Sequence, residues 1–254
     1  MFITKYKHEI MRYLHMNISI PDKIKLFSGS TLKTIAILSM TIDHFAAVVL
    51  YWGFLYYNQP IYQDTPLYKI YILYRIMRTI GRIAFPIYCF LLVEGFMHTK
   101  SRPKYLLRLG IFALISEIPF DLAIQNQMVT WDYCNVFFTL FLGFLAIWAL
   151  DYFREKLYFS IPIVALIGYA AYFINCDYDY RGILVIVILY LLRYYRILQV
   201  IAGALSLYWE WPAIFAFIPI LMYNGKRGRG SKYFFYIYYP AHLLIFYFLT
   251  TILS

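Results

Sequence analysis

Stretches of about 20 apolar residues recur along most of this 254-residue chain, and short charged segments separate them. A helix needs about 20 apolar residues to cross a bilayer core. Only 14% of the residues are charged, whereas a soluble domain carries about 25%. Because so few charges cannot cover a water-soluble surface, the sequence predicts an all-α, polytopic transmembrane helical bundle.

The hydropathy pattern predicts about nine transmembrane helices, within a range of about seven to eleven. The expected spans are residues 33–51, 69–97, 105–124, 135–151, 157–175, 182–193, 196–209, 211–223 and 233–252. The sixth to eighth are short apolar runs interrupted by charged residues and a proline. They fit three short spans or one span plus re-entrant pieces.

The distribution of Lys and Arg predicts the orientation, since cytoplasmic loops carry an excess of both. If the N-terminus is cytoplasmic, the inner segments hold 18 of the 23 Lys and Arg residues, in 1–33, 98–108, 152–156, 193–196 and 224–232. This topology also explains the net charge of +10. We therefore expect a lipid bilayer as the partner and no nucleic acid.

The chain divides into a cytoplasmic N-terminal segment, residues 1–30, and a transmembrane domain, residues 31–254. The first segment is the less apolar of the two. It has no apolar core followed by a small-residue cleavage site, so we expect no cleavable signal peptide.

Ionisable residues inside predicted spans are the first candidates for function, because a charge in a bilayer costs several kcal/mol. They are Asp43, His44, Arg75, Arg78, Arg82, Glu94, Glu117, Asp121 and His242. They either pair with one another to fix helix packing or face a polar site inside the bundle.

The first span places Lys33 and His44 on one helix face, since 11 residues make about three turns and a rise of about 16 Å. A cation at the cytoplasmic boundary and an imidazole near mid-membrane suit a long anionic donor that enters from the cytoplasm. Histidine is also the side chain most readily poised as a general base. Asp43 is about 100° away around the helix, so we expect it to pair with another helix.

The second span carries Arg75, Arg78 and Arg82 along one stripe. These arginines either neutralise buried carboxylates or line a cavity for an anionic group. Gly81 allows close approach of another backbone, and Pro86 leaves a carbonyl free and kinks the helix.

The predicted inner segment after the second span, residues 98–108, is a basic patch. It is either a topology determinant alone or a cradle for phosphates.

The three cysteines are too few for a disulfide framework. Cys134 and Cys176 both fall at the predicted outer face, and the sequence leaves open whether they pair. Cys89 lies in a span, where a small packing residue is expected. No ligand spacing on one helix predicts a metal site.

Seven motifs in order along the chain resemble the TraX family. They are Leu32-Lys-Thr-Ile-Ala-Ile with Asp43-His44, Arg78-Thr-Ile-Gly-Arg-Ile-Ala-Phe-Pro86, Glu94-Gly-Phe with His98-Thr99, Tyr105 with Arg108-Leu, Ser116-Glu-Ile-Pro-Phe-Asp121, Asn135-Val-Phe-Phe-Thr-Leu140 and Tyr239-Pro-Ala-His-Leu243. The first span is also similar to the Arg-x10-His signature of the acyltransferase-3 family, with Lys33 in place of the arginine.

The TraX family is represented by a conjugative-pilus protein associated with acetylation of the pilin N-terminus. The resemblance implies a multi-pass acetyltransferase of the bacterial plasma (inner) membrane. It would transfer acetyl from cytoplasmic acetyl-CoA to an amine or hydroxyl of an extracytoplasmic peptide or glycan, with His44 as the general base. Residues 31–254 would then be an acyltransferase-like domain.

The motifs and the charge pattern together give three sets of expected site residues. The catalytic set is Asp43, His44, Arg82 and His242; the donor-binding set is Lys33, Arg78, His98, Lys104 and Arg108; the acceptor-binding set is Glu117, Asn135 and Tyr239. Two other functions remain open from the residues alone. A proton-coupled transporter would use the same buried groups as a relay, and a non-enzymatic assembly protein would use them only for packing.

Overall fold

The computed structural model describes residues 20–230 and 232–253, except for the side chains of residues 157, 232 and 233. Within these residues the secondary structure is helical, apart from turns and two isolated β-bridges. The predicted all-α class is confirmed. Residues 1–19 of the predicted N-terminal segment lie outside the described residues.

Ten α-helices form the described part of the chain. They are α1 (Gly29–Phe45), α2 (Pro66–Gly81), α3 (Ala84–His98), α4 (Arg102–Phe120), α5 (Val136–Tyr152), α6 (Leu157–Phe173), α7 (Asp179–Leu191), α8 (Arg196–Ser206), α9 (Phe217–Leu221) and α10 (Lys232–Leu253). Helix α1 continues through π-helical turns at Ala46–Leu55, α4 continues similarly at Asp121–Gln125, and a 3-10 segment, Tyr208–Ala216, precedes α9.

Three helical stretches are long and apolar enough to cross a membrane: Gly29–Asn58, Pro66–His98 and Phe234–Leu253. The outside of the bundle is apolar as well. Helix α4, for example, exposes Leu107, Leu114 and Ile118 along one side. A water-soluble helix would carry polar residues there, so the exposed stripe fits contact with lipid. The helices fall at the predicted positions, whereas the nine-span count and the orientation stay predictions.

Local sequence explains where several helices begin. The Ser28 hydroxyl accepts a hydrogen bond from the Thr31 N–H at 3.2 Å, and the Asn135 side chain accepts one from the Phe137 N–H at 2.9 Å. Such N-caps satisfy amide groups that have no partner within the helix. Asn135 thereby fixes the start of α5.

The predicted kink in the second span is confirmed, because α2 ends at Gly81 and α3 begins at Ala84. Pro86 has no N–H to offer the carbonyl four residues earlier. At the break, the Ser39 hydroxyl of α1 donates to the carbonyl oxygens of Ile80 at 2.7 Å and Gly81 at 3.2 Å. The break therefore joins α2 to α1.

Helix α3 forms the centre of the bundle. Its side chains Ile87, Phe90 and Val93 are fully buried, and Phe96 packs edge-on against Phe144 of α5. Helices α1, α5, α7 and the 3-10 segment surround it. The start of α3, which follows the arginine-bearing end of α2, is therefore held inside the bundle.

The ambiguous stretch 182–223 contains α7, α8, the 3-10 segment and the five-residue α9. Glu210 has non-helical backbone angles, φ −133° and ψ 62°. This irregular turn directs the Glu210 side chain toward α2, where it meets an arginine.

Candidate functional site

A polar cavity of about 90 Å³ lies where α1, α2, α3 and α10 meet the turns before α5 and α7. Its lining includes Asp43, His44, Arg78, Arg82, Tyr133, Asp177, Tyr178 and Tyr239. Cations, carboxylates and an imidazole thus face one space, which is the arrangement expected of a reaction or ligand site.

His44 and His242 form a hydrogen-bonded pair at the edge of this cavity. The His44 Nδ1 lies 2.6 Å from the His242 Nε2, and the ring centroids are 4.9 Å apart in a nearly parallel stack. The His242 Nδ1 lies 2.7 Å from the backbone oxygen of Tyr238. The Tyr238 hydroxyl in turn lies 2.7 Å from the hydroxyl of Thr41 on α1.

These contacts assign the tautomers of both rings. A carbonyl oxygen only accepts, so the His242 Nδ1 carries the proton that is donated to Tyr238. In a neutral ring the His242 Nε2 is then an acceptor, and it takes the Nδ1 proton of His44. The second nitrogen of His44, Nε2, is left with a lone pair. In this arrangement the His44 Nε2 can accept a hydrogen bond or a proton.

Two arginines of the α2 stripe hold the carboxylate next to His44. The Asp43 carboxylate lies 2.5 Å from the Arg78 Nη1 and 3.3 Å from the Arg82 Nη2. The Arg82 Nη1 also pairs with Glu210 at 3.1 Å, and its Nε donates to the Arg78 carbonyl at 3.2 Å. Arg82 is therefore fixed by three acceptors, and Asp43 pairs with another helix as predicted.

A second carboxylate, Asp177, faces the cavity from the turn between α6 and α7. The Tyr133 hydroxyl donates to Asp177 at 2.5 Å. The next residue, Tyr178, has a φ of +67°, a backbone angle that is costly for a bulky side chain. Its ring stacks on the Phe85 ring with the two ring centroids 3.6 Å apart. Strain of this kind is typical of functional sites.

The burial of Asp177 raises the pKa of its carboxyl to about 6, although Tyr133 and Arg82 act in the opposite direction. Glu210 and Asp43 add to the increase because they carry the same charge. Among the described acids of the cavity, Asp43 has arginine partners within 4 Å. The Asp177 carboxylate instead accepts a hydrogen bond from the Tyr133 hydroxyl.

A family model described as "TraX protein" matches residues 28–250. This chain belongs to the TraX family. A curated relative of this TraX-family protein is the "Probable fimbrial assembly protein FimC, serogroup H1" of Dichelobacter nodosus, which is 32% identical over 256 residues, covering 86% of this chain and 94% of the relative. No solved structure matches the chain.

Five of the predicted site residues of this TraX-family protein line the cavity. They are Asp43, His44, Arg78, Arg82 and Tyr239. His242 is buried behind His44. Its position fits a residue that orients His44, whereas the sequence suggested a second base. Arg75 is exposed and contacts the Tyr71 hydroxyl at 3.3 Å, so it does not join the other two arginines.

Two predicted acceptor-binding residues lie in a separate buried cluster and do not line the cavity. The Asn135 amide nitrogen donates to the Ala113 carbonyl at 2.8 Å and to Glu117 at 2.5 Å. Glu117 also accepts from the Asn135 backbone N–H at 3.1 Å. These contacts attach the start of α5 to α4, so both side chains hold the fold. Asp121 likewise holds the Thr130 N–H at 2.8 Å.

The predicted donor-binding residues fall in different places. Arg78 lies in the cavity, whereas His98 and Lys104 are exposed at the end of α3 and the start of α4. Lys33 and Arg108 both lie near the start of α10: the Lys33 ammonium is 5.0 Å from the centre of the Phe235 ring, and Arg108 reaches Tyr236. Glu94 is paired elsewhere, with Arg196 at 3.6 Å.

Sequence reasoning missed four cavity residues or their partners: Tyr133, Asp177, Tyr178 and Glu210. Asp177 lies in a predicted outer loop, and Glu210 lies between two predicted spans. A charged residue is common at either kind of position. The sequence did contain a signal for further carboxylates. Arg78 and Arg82 both lie in a predicted span, and two buried arginines need more than one carboxylate partner. Within the described residues, no three His, Cys, Asp or Glu side chains cluster as metal ligands.

Proposed function

We propose that this TraX-family protein is a membrane-embedded acetyltransferase that transfers the acetyl group of cytoplasmic acetyl-CoA to an amine of an extracytoplasmic peptide. The hydrogen-bond chain from Tyr238 through His242 to His44 carries the proposal, because it leaves the His44 Nε2 unprotonated. A residue used only for packing has no need of a free lone pair beside a polar cavity.

The proposed topology follows the charge distribution. The protein crosses the bacterial inner membrane about nine times, with its N-terminus in the cytoplasm, and residues 31–254 form the acyltransferase domain. The start of α1 then lies at the cytoplasmic face, whereas the turns that carry Tyr133 and Asp177 lie at the outer face. The cavity is placed between a cytoplasmic donor and an outer acceptor.

The donor phosphates are proposed to bind at the cytoplasmic end of α1. Lys33 lies there beside the basic loop that contains Lys226, Arg227 and Arg229, and Arg227 is close enough to act electrostatically on Lys33. The backbone of this loop is attached to α1, since the Gly29 N–H donates to the Lys226 carbonyl at 2.8 Å. Several cations on one rim suit a polyanion.

Transfer requires removal of two protons from an acceptor that binds as an ammonium. The ammonium first releases one proton to solvent water. The neutral amine nitrogen then attacks the thioester carbonyl, a carbon–nitrogen bond forms, and the His44 Nε2 takes the second proton that the nitrogen loses. Arg78 and Arg82 offer positive charge to the oxyanion of the tetrahedral intermediate. The carbon–sulfur bond then breaks, and the thiolate leaves with the proton held by His44.

Asp177 favours an amine over a hydroxyl as the acceptor. It is a partly buried carboxylate that accepts a hydrogen bond from the Tyr133 hydroxyl. A buried carboxylate is stabilised by a cation, and the ammonium of a peptide N-terminus is such a cation. The fimbrial assembly name of the relative agrees with a fimbrial or pilin-like subunit as the peptide.

Replacement of Asp177 by Asn should raise KM for the peptide about tenfold or more, the effect expected for a lost charge-assisted hydrogen bond. In the wild type, KM should also rise as the pH falls through about 6, because protonation of Asp177 removes its charge. The pH dependence of KM should be flatter in the variant. Asn keeps an oxygen for the Tyr133 hydroxyl, so the fold should be retained.

The matched control is Asp132→Asn, which changes an exposed carboxylate in the adjacent turn. Its KM and its pH dependence should equal those of the wild type. An unchanged KM in Asp177→Asn would contradict the assignment of this residue to the acceptor.

Replacement of Lys33 by Gln should raise KM for acetyl-CoA about five- to tenfold with little change in kcat, because the lysine binds the donor equally in the ground and transition states. Steady-state kinetics with purified protein measure both constants. Lys156→Gln, at an exposed lysine of another predicted inner loop, should leave KM unchanged. An equal response of both variants would point to general loss of charge.

The function itself is tested by incubating detergent-purified protein with radiolabelled acetyl-CoA and a synthetic peptide with a free N-terminus. Label should appear on the peptide, and mass spectrometry should place it on the N-terminal nitrogen. The same peptide with a blocked N-terminus is the control. Folded protein that neither binds nor consumes acetyl-CoA would refute the proposal and favour a transporter or an assembly factor.

A further inference from the structure

Cys134 and Cys176 lie directly opposite each other in an isolated parallel β-bridge between the turns before α5 and α7. The Cys134 N–H donates to the Asn175 carbonyl at 3.1 Å, and the Asp177 N–H donates to the Cys134 carbonyl at 2.8 Å. These two bonds flank Cys176 on both sides. In a parallel pair, residues placed in this way have side chains on the same face.

This spacing fits a disulfide. Opposed residues of paired strands lie about 4.8 Å apart, and disulfides join Cα atoms at about 4.4–6.8 Å. Both residues are thiols in the structure and are almost completely buried, each about 1% exposed. Backbone hydrogen bonds already hold the two turns together.

The two cysteines also adjoin the outer side of the cavity in sequence. Tyr133 precedes Cys134, Asp177 follows Cys176, and these neighbours are hydrogen-bonded to each other. A covalent link between the cysteines therefore fixes the distance between the two turns that present Tyr133 and Asp177.

We propose that Cys134 and Cys176 are oxidised to a disulfide that locks the turn before α5 to the turn before α7. The predicted topology places both at the outer face, where disulfides form and persist. The two thiols lose two protons and two electrons as the sulfur–sulfur bond forms. The electrons reduce the disulfide of an extracytoplasmic thiol oxidase to a dithiol.

Oxidation takes place while the turns are still open. In the folded protein, burial raises the pKa of Cys134 to about 12 and that of Cys176 to about 11. The Glu117 carboxylate beside Cys134 adds to its increase. Because the thiolate is the reactive form, the folded dithiol exchanges slowly and the bond is made during folding.

The test counts thiols in the full-length protein taken directly from bacterial membranes. The membranes are dissolved in denaturant with N-ethylmaleimide, which blocks every free thiol. The protein is then reduced and treated with a polyethylene-glycol maleimide, which adds one visible gel shift for each cysteine that had been oxidised. Cys89, a buried thiol in a predicted span, is blocked in the first step and serves as the internal control.

The wild type should gain two shifts, and the single variants Cys134→Ser and Cys176→Ser should gain none. A non-reduced digest should contain one peptide pair that joins residues 134 and 176. Three free thiols in the wild type overturn the proposal, as does a linked pair that contains Cys89. Because the assay reads sulfur alone, failure of acetyl transfer and absence of the disulfide are distinguished.

Thermal unfolding of the folded, detergent-purified protein gives a second measurement. Reduction should lower the Tm of the wild type by about 5–15 °C, since the bond closes a long loop. It should leave the Tm of the double variant Cys134→Ser/Cys176→Ser unchanged. The thiol count verifies that the bond has been reduced. A wild-type Tm that stays unchanged once both thiols are free overturns the inference that the bond locks the turns.

Discussion

Replacement of His44 by Ala should reduce kcat for acetyl transfer by about 10²- to 10⁴-fold, the usual contribution of a general base. In the proposed mechanism the base is the His44 Nε2, which the hydrogen-bond chain from Tyr238 leaves unprotonated. The His44→Ala substitution leaves the cavity arginines in place, but no group then accepts the proton of the amine. Transfer of radiolabelled acetyl to a peptide, at saturating acetyl-CoA, measures the loss.

The control for His44→Ala is His98→Ala, which removes an exposed histidine at the end of α3 and should keep the wild-type kcat. His242→Ala should give a smaller loss than His44→Ala and change the pH profile, because His242 acts through the His44 proton. Thermal unfolding verifies that each variant is folded. A folded His44→Ala protein with the wild-type kcat would exclude His44 as the base.

Replacement of Gly81 by Ala should lower stability by about 2–4 kcal/mol, or Tm by about 5–15 °C. An added Cβ at Gly81 meets the Asp43 side chain within 2.4 Å, closer than real contacts allow. Asp43 must move, and its pairs with Arg78 and Arg82 are disturbed together. The mutation therefore costs packing and leaves buried charges imperfectly paired. Thermal unfolding in detergent measures the change.

Gly168→Ala in α6 is the matched control, since its added Cβ would lie an ordinary 3.7 Å from Tyr180. It should be neutral or slightly stabilising, because Ala is the better helix former. If Gly81→Ala were as stable as Gly168→Ala, the close approach of α1 and α2 would not be the contact that organises the site. Acetyl transfer by Gly81→Ala should fall with stability, because Asp43 adjoins His44.

The helices expose apolar side chains on the outside of the bundle. Leu107, Leu114 and Ile118 are exposed on α4, and such a surface requires lipid or detergent. The apolar groove of about 400 Å³ between α6 and α7, lined by Tyr169, Tyr172 and Leu184, has the same character. Its position on the outside of the bundle fits contact with lipid chains.

The sequence determined the helical class and the positions of the main helices, because twenty-residue apolar runs leave no other folded form in a membrane. It also predicted the break near Pro86 and the close approach at Gly81, since each depends on the local chemistry of one residue type. His44 could be singled out because an ionisable group in an apolar helix is costly.

Which of these groups meet depends on how the helices pack. His242 lies 198 positions from His44 in the chain, and the packing of α10 against α1 makes it a hydrogen-bond partner. Glu117 and Asn135 carry the same polar chemistry as the cavity residues, yet their contacts hold α5 to α4. Asp177 enters the site through a strained turn. Such contacts depend on how helices cross and where turns bend, which is a property of the whole packed chain and is not encoded in local spacing.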